Sequence, residues 1–151
     1  MTLTLQEISD RIEINDLLIK YCTAVDRHDW DAFDDIFTAD CLIDYSAMGG
    51  SRGGLAETKE FLAKAMPTFV AHQHLIANSA IELDGDKATG RTMCHNPMVS
   101  GTKDGGTHVW FCGLWYCDKL VRTPDGWRIS ERVEEKSYFH NLPEDFEVPV
   151  K

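Results

Sequence analysis

An aspartate and a histidine in two separate segments could together form a general base. Asp26 ends the segment 21–26 late in a helical pattern, and His74 stands at the start of an apolar, strand-like run. A carboxylate beside an imidazole fixes the tautomer of the ring and favours a base that works near neutral pH. If the helix closes over the sheet, we expect Asp26 and His74 to meet in one pocket.

Each of the two residues also has a simpler interpretation. Asp26 could be a helix C-terminal residue that only hydrogen-bonds backbone, and His74 alone would be a core histidine with satisfied ring nitrogens. The two residues together favour a working dyad, because an aspartate on a mostly apolar helix face needs a partner.

Two tyrosines are candidates for hydrogen bonds to a substrate oxygen. Tyr21 lies five residues before Asp26, a little over one helical turn, so both can reach the same cavity. Tyr45 ends a predicted short strand. For both tyrosines the alternative is a core aromatic residue whose hydroxyl is satisfied within the protein.

Further candidates for substrate contacts come from the later strands and the third helix. Asn96 shares strand parity with Cys94 and Met98, so its amide could point inward and bind an oxygen. His95 has the opposite parity and would enter the pocket only through a bulge. We include the following bulky side chains, although strand parity alone does not decide which point inward: Met98, Trp110, Phe61 and Tyr138.

We predict neither a metal nor a cofactor. His72 and His74 have a spacing that metal binding permits, but the sequence offers no evident third ligand. The glycine-rich loop 101–106 lacks the Lys-Ser/Thr pair of a phosphate loop. The five cysteines are odd in number and contain no Cys-x-x-Cys, so reduced thiols in a cytoplasmic protein are expected.

Local signals place these residues on helices and strands. Thr4 and Glu7 form a capping box that predicts a helix start, and Asp29 caps a second, short helix. A third helix is predicted for Leu55 to Met66, stopped by Pro67. The first helix continues to about residue 27 with one apolar stripe: Ile8, Ile12, Leu17, Tyr21 and Val25.

The second half of the chain reads as strands. After a short strand at 40–45, period-two patterns predict strands from residue 74 to 83 and at 88–99, 108–121 and 127–139, with turns at 84–86, 101–106 and 123–126. Helices followed by long antiparallel strands indicate an α+β fold.

One strand and one acidic cluster bear on assembly. The strand 108–121 is apolar on both faces, so both need cover. Helices supply one cover, and we expect a second subunit to supply the other, in a trimeric or dimeric homo-oligomer. Three glutamates, Glu131, Glu134 and Glu135, are predicted to lie on solvated surface or at an intersubunit rim.

Length and composition exclude several classes of protein. At 151 residues the chain is expected to form one domain, 1–151, with 43% apolar and 26% charged residues, as in ordinary soluble proteins. A formal charge of −10 argues against nucleic acid and against an anionic membrane surface. We expect no membrane span and no signal peptide. A hydrophobic small molecule is the predicted partner.

The chain resembles the SnoaL-like branch of the nuclear transport factor 2-like superfamily. The resemblance runs from residues 14–18 to 125–129. It implies a curved antiparallel sheet wrapped around helices into a cone with a deep apolar pocket. Its motifs are Tyr21-x₄-Asp26, Asp29-Trp30, Phe37-x-x-Asp40, His74-x-x-x-Asn78 and Gly85-Asp86-x-Ala88.

Within that superfamily the chain is most similar to the scytalone dehydratase and bile-acid 7α-dehydratase group. There a helix Asp and a strand His form the catalytic dyad, and these fall on Asp26 and His74. The resemblance also implies roles for Tyr21 and for Tyr45, whose counterpart polarises a substrate carbonyl through water. A hexachlorocyclohexane dehydrochlorinase uses the same pair, so the dyad implies proton abstraction rather than one substrate.

The chain departs from these enzymes at the pocket. Asn96 replaces an Asp and Lys136 a late Arg of the bile-acid enzymes, and Met98 replaces a second His of scytalone dehydratase, so neither substrate is expected. We predict a cofactor-free lyase (dehydratase) or isomerase that acts on a hydrophobic cyclic or polycyclic molecule. Alternatives are a polyketide cyclase or ketosteroid-type isomerase, a non-catalytic ligand-binding domain, or the small subunit of a ring-hydroxylating dioxygenase.

Overall fold

The computed structural model describes residues 2–144 and 146. It contains two α-helices, three short 3₁₀ helices and seven strands. The 3₁₀ helices are Asp31–Asp35, Ser46–Met48 and Met66–Thr68. In chain order the other elements are α1 (Leu5–Arg27), β1 (Phe37–Asp44), β2 (Arg52–Gly53), α2 (Leu55–Ala65), β3 (Ala71–His72), β4 (Leu75–Asp84), β5 (Lys87–Gly101), β6 (Thr107–Thr123) and β7 (Gly126–His140).

Helix α1 begins at the predicted capping box. The Thr4 hydroxyl accepts from the Glu7 backbone N–H at 3.1 Å, and the Glu7 carboxylate accepts from the Thr4 backbone N–H at 2.6 Å. The predicted apolar stripe is only partly buried, because Ile8 and Ile12 are 42% and 57% exposed. The buried face of the helix is formed by Asp10, Ile14, Leu17, Leu18, Tyr21 and Val25, and Ile8 and Ile12 lie on the other side of the helix.

The strands form one seven-stranded sheet in the order β2-β1-β7-β6-β5-β3, and β4 also pairs with β5. Strands β1 and β7 pair in parallel, whereas all other pairs are antiparallel. The predicted α+β class is therefore confirmed. The one parallel pair differs from the expected all-antiparallel sheet, because β1 joins the sheet beside the last strand of the chain.

Two bulges in β7 decide which of its side chains face the helices. Leu120 pairs with Ile129 but Lys119 pairs with Glu131, which leaves Ser130 as an extra residue. A second shift leaves Ser137 unpaired between the partners of Gly113 and Leu114. Because each extra residue reverses strand parity, the inward positions change from odd to even numbers and back.

The two faces of β6 differ in burial. Trp110, Leu114 and Tyr116 are buried on the inner face, while Val109 on the outer face is 44% exposed. Phe111, Trp115 and Cys117 on the outer face are half-buried, so this face is only partly covered within the described part of the chain, and the second subunit stays a prediction. No helix among the described residues has the length and apolar character to cross a bilayer.

A buried aspartate ties α1 to the β6–β7 hairpin. The Asp10 carboxylate accepts hydrogen bonds from Arg122 at 2.6 Å, from Gln6 at 2.9 Å and from the Trp127 indole at 3.2 Å. The hydrogen bond from Arg122 outweighs burial and holds the pKa of Asp10 at about 2. Asp10 is thus ionised at neutral pH.

We expect Asp10→Asn to lower the free energy of unfolding by about 1–3 kcal/mol at neutral pH, because charge-assisted hydrogen bonds are lost. The stabilisation by ionised Asp10 is present above its unfolded pKa, near 3.8, and disappears as the pH falls through about 2. The difference between wild type and variant should therefore shrink in acid. Urea unfolding measures this difference in free energy of unfolding. The control is Asp16→Asn, because Asp16 is an exposed aspartate on the same helix. An equal loss in both variants would contradict the prediction.

Candidate active site

A cavity of about 370 Å³ lies between the helices and the inner face of the sheet. Most of its wall is apolar, contributed by α1, α2, β5, β6 and β7. Such a chamber suits a hydrophobic ligand that a few polar groups orient. Five polar side chains line it: Tyr21, Tyr45, His74, Asn96 and Glu134.

Asp26 and His74 are in contact. Asp26 lies in the last turn of α1, and His74 lies in the connection between β3 and β4. Oδ1 of Asp26 is 2.7 Å from Nδ1 of His74, and the His74 backbone N–H reaches both carboxylate oxygens at 3.2 and 3.1 Å. The Asp26 carboxylate thus binds both the ring and the backbone N–H of His74, and these contacts together fix the orientation of the ring.

The dyad presents one ring nitrogen to the cavity. His74 lines the cavity, whereas Asp26 is not among the lining residues and therefore lies behind the ring. Because Asp26 holds Nδ1, Nε2 is the nitrogen left for a ligand, and no other described residue hydrogen-bonds it. Burial alone raises the pKa of Asp26, but the hydrogen bonds from His74 outweigh it, so this pKa lies below its usual range.

The two predicted tyrosines form a pair. Their hydroxyl oxygens are 2.7 Å apart, and both side chains are buried. Burial raises the pKa of Tyr21 and of Tyr45, so both hydroxyls are neutral and can donate. One hydroxyl donates to the other, which leaves one O–H proton of the pair for a ligand. The Tyr21 ring also meets the His74 ring edge-on, with centroids 6.4 Å apart.

Four of the six predicted substrate-contact residues line the cavity. Asn96 is buried on β5, and its side-chain oxygen accepts from the Cys94 thiol at 2.9 Å, which leaves the NH₂ group for a ligand. The other three are Met98, Trp110 and Phe61.

The other two candidates, His95 and Tyr138, are not among the residues that line the cavity. Strand β5 pairs with β6 without a register shift, so no bulge turns His95 inward. Tyr138 follows the second bulge of β7, and its ring occupies the place where a Cβ on Gly113 would stand. On this outer face the Tyr138 hydroxyl is 2.7 Å from Nδ1 of His95.

Glu134 is a cavity residue that the sequence analysis placed on the surface. Counting outward from buried Trp127 and Ile129 gives Glu134 the solvent side, but the bulge at Ser130 turns it inward. Burial raises the pKa of Glu134 to about 8, against the opposing effect of Arg132. No described residue hydrogen-bonds the Glu134 carboxyl group, which therefore faces the cavity without a partner.

The other two glutamates of that cluster lie outside the cavity, as expected. Glu131 pairs with Lys119 at 2.9 Å, and Glu135 pairs with Arg91 at 2.8 Å. No sequence signal other than an anticipated bulge could have separated Glu134 from them.

The structure places Asp26 beside His72 and His74. Asp26 is therefore a third potential metal ligand, which was not evident from the sequence. Ligand atoms of Asp26, His72 and His74 lie within 4.8 Å of one another. However, ligands of a tetrahedral zinc ion are roughly 3.3 Å apart, whereas Nδ1 of His74 and Oδ1 of Asp26 are 2.7 Å apart. This separation is that of a hydrogen bond. The arrangement as it stands is an acid–base dyad with His72 beside it, 3.4 Å from Asp26.

Known proteins share both the sequence pattern and the fold. Residues 6–133 match the sequence profile of the SnoaL-like domain. The Mycobacterium tuberculosis protein Rv2910c, an uncharacterised protein, is 45% identical over 137 residues, which cover 90% of this chain and 91% of Rv2910c.

Solved structures extend the likeness. A protein from Novosphingobium aromaticivorans, named as a proposed aromatic ring hydroxylase, has a TM-score of 0.78 and 29% identity over 89% of this chain and 94% of its own. The hexachlorocyclohexane dehydrochlorinase LinA-type3 from Novosphingobium barchaimii has a TM-score of 0.76 and 19% identity (97% and 99% covered). A nuclear transport factor 2-like superfamily protein from Salmonella enterica has a TM-score of 0.70 and 19% identity (91% and 98% covered).

Proposed function

Because the chain belongs to the SnoaL-like family, we propose that it is a cofactor-free dehydratase or isomerase of a hydrophobic cyclic or polycyclic small molecule. The single observation that carries this proposal is the 2.7 Å contact of Asp26 with Nδ1 of His74, at the wall of an apolar cavity. An ionised carboxylate fixes the ring with Nε2 free, which is the arrangement of a general base.

The reaction starts at a carbon next to a carbonyl group. Nε2 of His74 takes a proton from this carbon, and the electron pair of the C–H bond moves onto the carbonyl oxygen as an enolate. The free hydroxyl proton of the Tyr21–Tyr45 pair (2.7 Å between oxygens) donates a hydrogen bond to that oxygen. In a dehydratase the enolate expels a β-hydroxyl group, which takes the proton back from His74 and leaves as water.

The apolar wall supports this chemistry in two ways. It supplies most of the contact with a hydrophobic ring system, and it excludes water that would otherwise solvate the enolate and weaken the hydrogen bonds to it. The elimination that gives LinA-type3 its name, loss of hydrogen chloride, also removes a proton from carbon, and that protein shares the fold.

Carbon hydrogen exchange tests the proposal without knowledge of the natural substrate. The bicyclic ketone 2-tetralone has acidic hydrogens beside its carbonyl, and proton NMR in D₂O follows their replacement by deuterium. We expect saturable, protein-dependent exchange above the buffer rate. No exchange above buffer at saturating ketone would contradict the proposal.

We expect Asp26→Asn to slow this exchange by on the order of 10²-fold, because an amide can donate to Nδ1 and so stabilises the wrong tautomer of His74. The matched control is Asp29→Asn, an exposed residue just beyond the same helix end. We expect the control to exchange at the wild-type rate. Equal rates for Asp26→Asn and wild type, with both folded, would remove Asp26 from the mechanism.

An isomerase is the second candidate, because the same base serves when the substrate has no leaving group. Nothing in the dyad distinguishes the two reactions, but the product does. Mass spectrometry after turnover shows the loss of one water for a dehydratase and an unchanged mass for an isomerase.

A further inference from the structure

We propose that Glu134, in its protonated form, is a catalytic residue that donates a hydrogen bond to the carbonyl oxygen of the substrate. This proposal rests on the proposed function, since it assigns the second partner of the enolate formed there. It adds a carboxylic acid to a site for which the sequence analysis predicted the dyad, the two tyrosines and contacts such as the Asn96 amide.

The position of Glu134 is the first argument. The bulge at Ser130 turns its side chain into the same cavity that His74 lines, opposite Tyr116 on β6. Its neighbours Glu131 and Glu135 have cationic partners on the outside of the sheet, at 2.9 and 2.8 Å. Glu134 alone of the three points into an apolar chamber.

The lack of a partner is the second argument. Glu134 is half-buried and faces the cavity, and no described residue hydrogen-bonds its carboxyl group, although polar groups removed from bulk water normally have a partner. Nearby Arg132 donates to Asp118 through Nε and Nη2, at 2.8 and 2.7 Å, and its buried Nη1 has no hydrogen-bond partner, so Arg132 does not hydrogen-bond Glu134 either. A ligand oxygen inside the cavity would therefore give Glu134 its missing partner.

The surroundings decide which form of the carboxyl group is present. Burial raises the pKa of Glu134 to about 8; Arg132 works against this rise and Asp44 adds to it. A neutral carboxylic acid can donate, whereas a carboxylate can only accept and would repel an enolate. The charged and titratable groups around Glu134 are Arg132, Asp44, Tyr21, Tyr45, Tyr116, Cys94 and Cys112, and His74 lines the same cavity.

The first test needs no ligand. Infrared difference spectra between wild type and Glu134→Gln, recorded across pH, isolate the absorption of the Glu134 carboxyl group. We expect a protonated carboxyl band at about pH 6 that is lost as the pH rises through about 8. The difference between wild type and Glu135→Gln, an exposed neighbour paired with Arg91, should show no such band. A Glu134 carboxyl that titrates in the usual range of an exposed glutamate would overturn the proposal.

The second test uses 2-tetralone labelled with ¹³C at its carbonyl. When the ketone binds to wild type at about pH 6, we expect the frequency of its C=O stretch to fall. With Glu134→Leu the frequency should stay close to its value in an apolar solvent. With Glu134→Gln it should fall by a smaller amount than in wild type, because the amide can still donate a hydrogen bond. In the exchange assay we expect Glu134→Leu to lower the exchange rate by on the order of 10²–10³-fold, the usual effect of removing one hydrogen-bond donor to an oxyanion. An unchanged C=O stretch in Glu134→Leu, or no saturable binding of 2-tetralone, would overturn the assignment.

His74→Ala separates the two proposals. This variant should lose exchange and keep the shifted C=O stretch, because Glu134 remains. If wild type shifts the stretch through Glu134 but exchanges no hydrogen, the general-base function fails and the hydrogen bond from Glu134 stands. If wild type exchanges hydrogen but the C=O stretch is the same with and without Glu134, the general-base function stands and the hydrogen bond from Glu134 fails.

Discussion

Replacing His74 with alanine is expected to slow hydrogen exchange in 2-tetralone by on the order of 10²–10⁴-fold, the usual contribution of a positioned general base. Among the described residues that line the cavity, His74 is the one imidazole. His72 lies 3.4 Å from the same carboxylate but is not among the cavity-lining residues.

The matched control for this prediction is His95→Ala. His95 lies on β5 but on the outer face of the sheet, where it contacts Tyr138 at 2.7 Å. We expect the control to keep the wild-type exchange rate. Because alanine leaves space for a small molecule, added imidazole should restore part of the exchange in His74→Ala and none in Asp26→Asn, where the ring still fills the site. A folded His74→Ala variant with the wild-type rate would refute the base assignment.

Asp118→Ala is expected to lower the free energy of unfolding by about 3–5 kcal/mol, because it leaves a buried cation without its counter-charge. The Arg132 guanidinium is 0% exposed and donates to both Asp118 oxygens, at 2.8 and 2.7 Å. It lies over the rings of Tyr21 and Tyr116, at 4.1 Å from each centroid. The ion pair is thus enclosed between the sheet and α1.

Guanidine unfolding measures this effect, and Glu131→Ala is the control. Glu131 makes a surface pair with Lys119 at 2.9 Å, and loss of such a pair costs about 0–1 kcal/mol. If Asp118→Ala is too unstable to purify, Asp118→Asn, which keeps an acceptor for Arg132, should be destabilised by a smaller amount. A loss below about 1 kcal/mol in Asp118→Ala would contradict the account of this pair.

The parts of the fold that local chemistry dictates could be predicted from sequence. The capping box at Thr4 and the change to period two after His72 placed α1 and the strands nearly correctly. The joint pattern of Asp26 and His74 also anticipated a contact between residues 48 positions apart. In that case a family resemblance and the need of a buried carboxylate for a partner indicated the same pair.

The remaining features depend on tertiary register. A bulge is invisible to a count of alternating residues, so Glu134 was placed outside and the side on which Tyr138 lies stayed open. The predicted stripe likewise assigned Ile8 and Ile12 to the core, although they lie on the side of α1 away from its buried residue Asp10. The second subunit expected over the outer face of β6 stays a prediction, which measurements of the oligomeric state test.

The parallel pairing of β1 with β7 sets the order in which the chamber can close during synthesis. Phe37 pairs with Ile129, and these residues are 92 positions apart (129 minus 37). Contacts between residues so far apart in sequence form slowly, because a long stretch of chain loses conformational entropy before the contacts can stabilise it. A nascent chain on the ribosome therefore holds β1 without its long neighbour until the last strand emerges. Strand β7 also carries Arg132 and Glu134, so the cavity wall is completed and Glu134 reaches the cavity in the same late step.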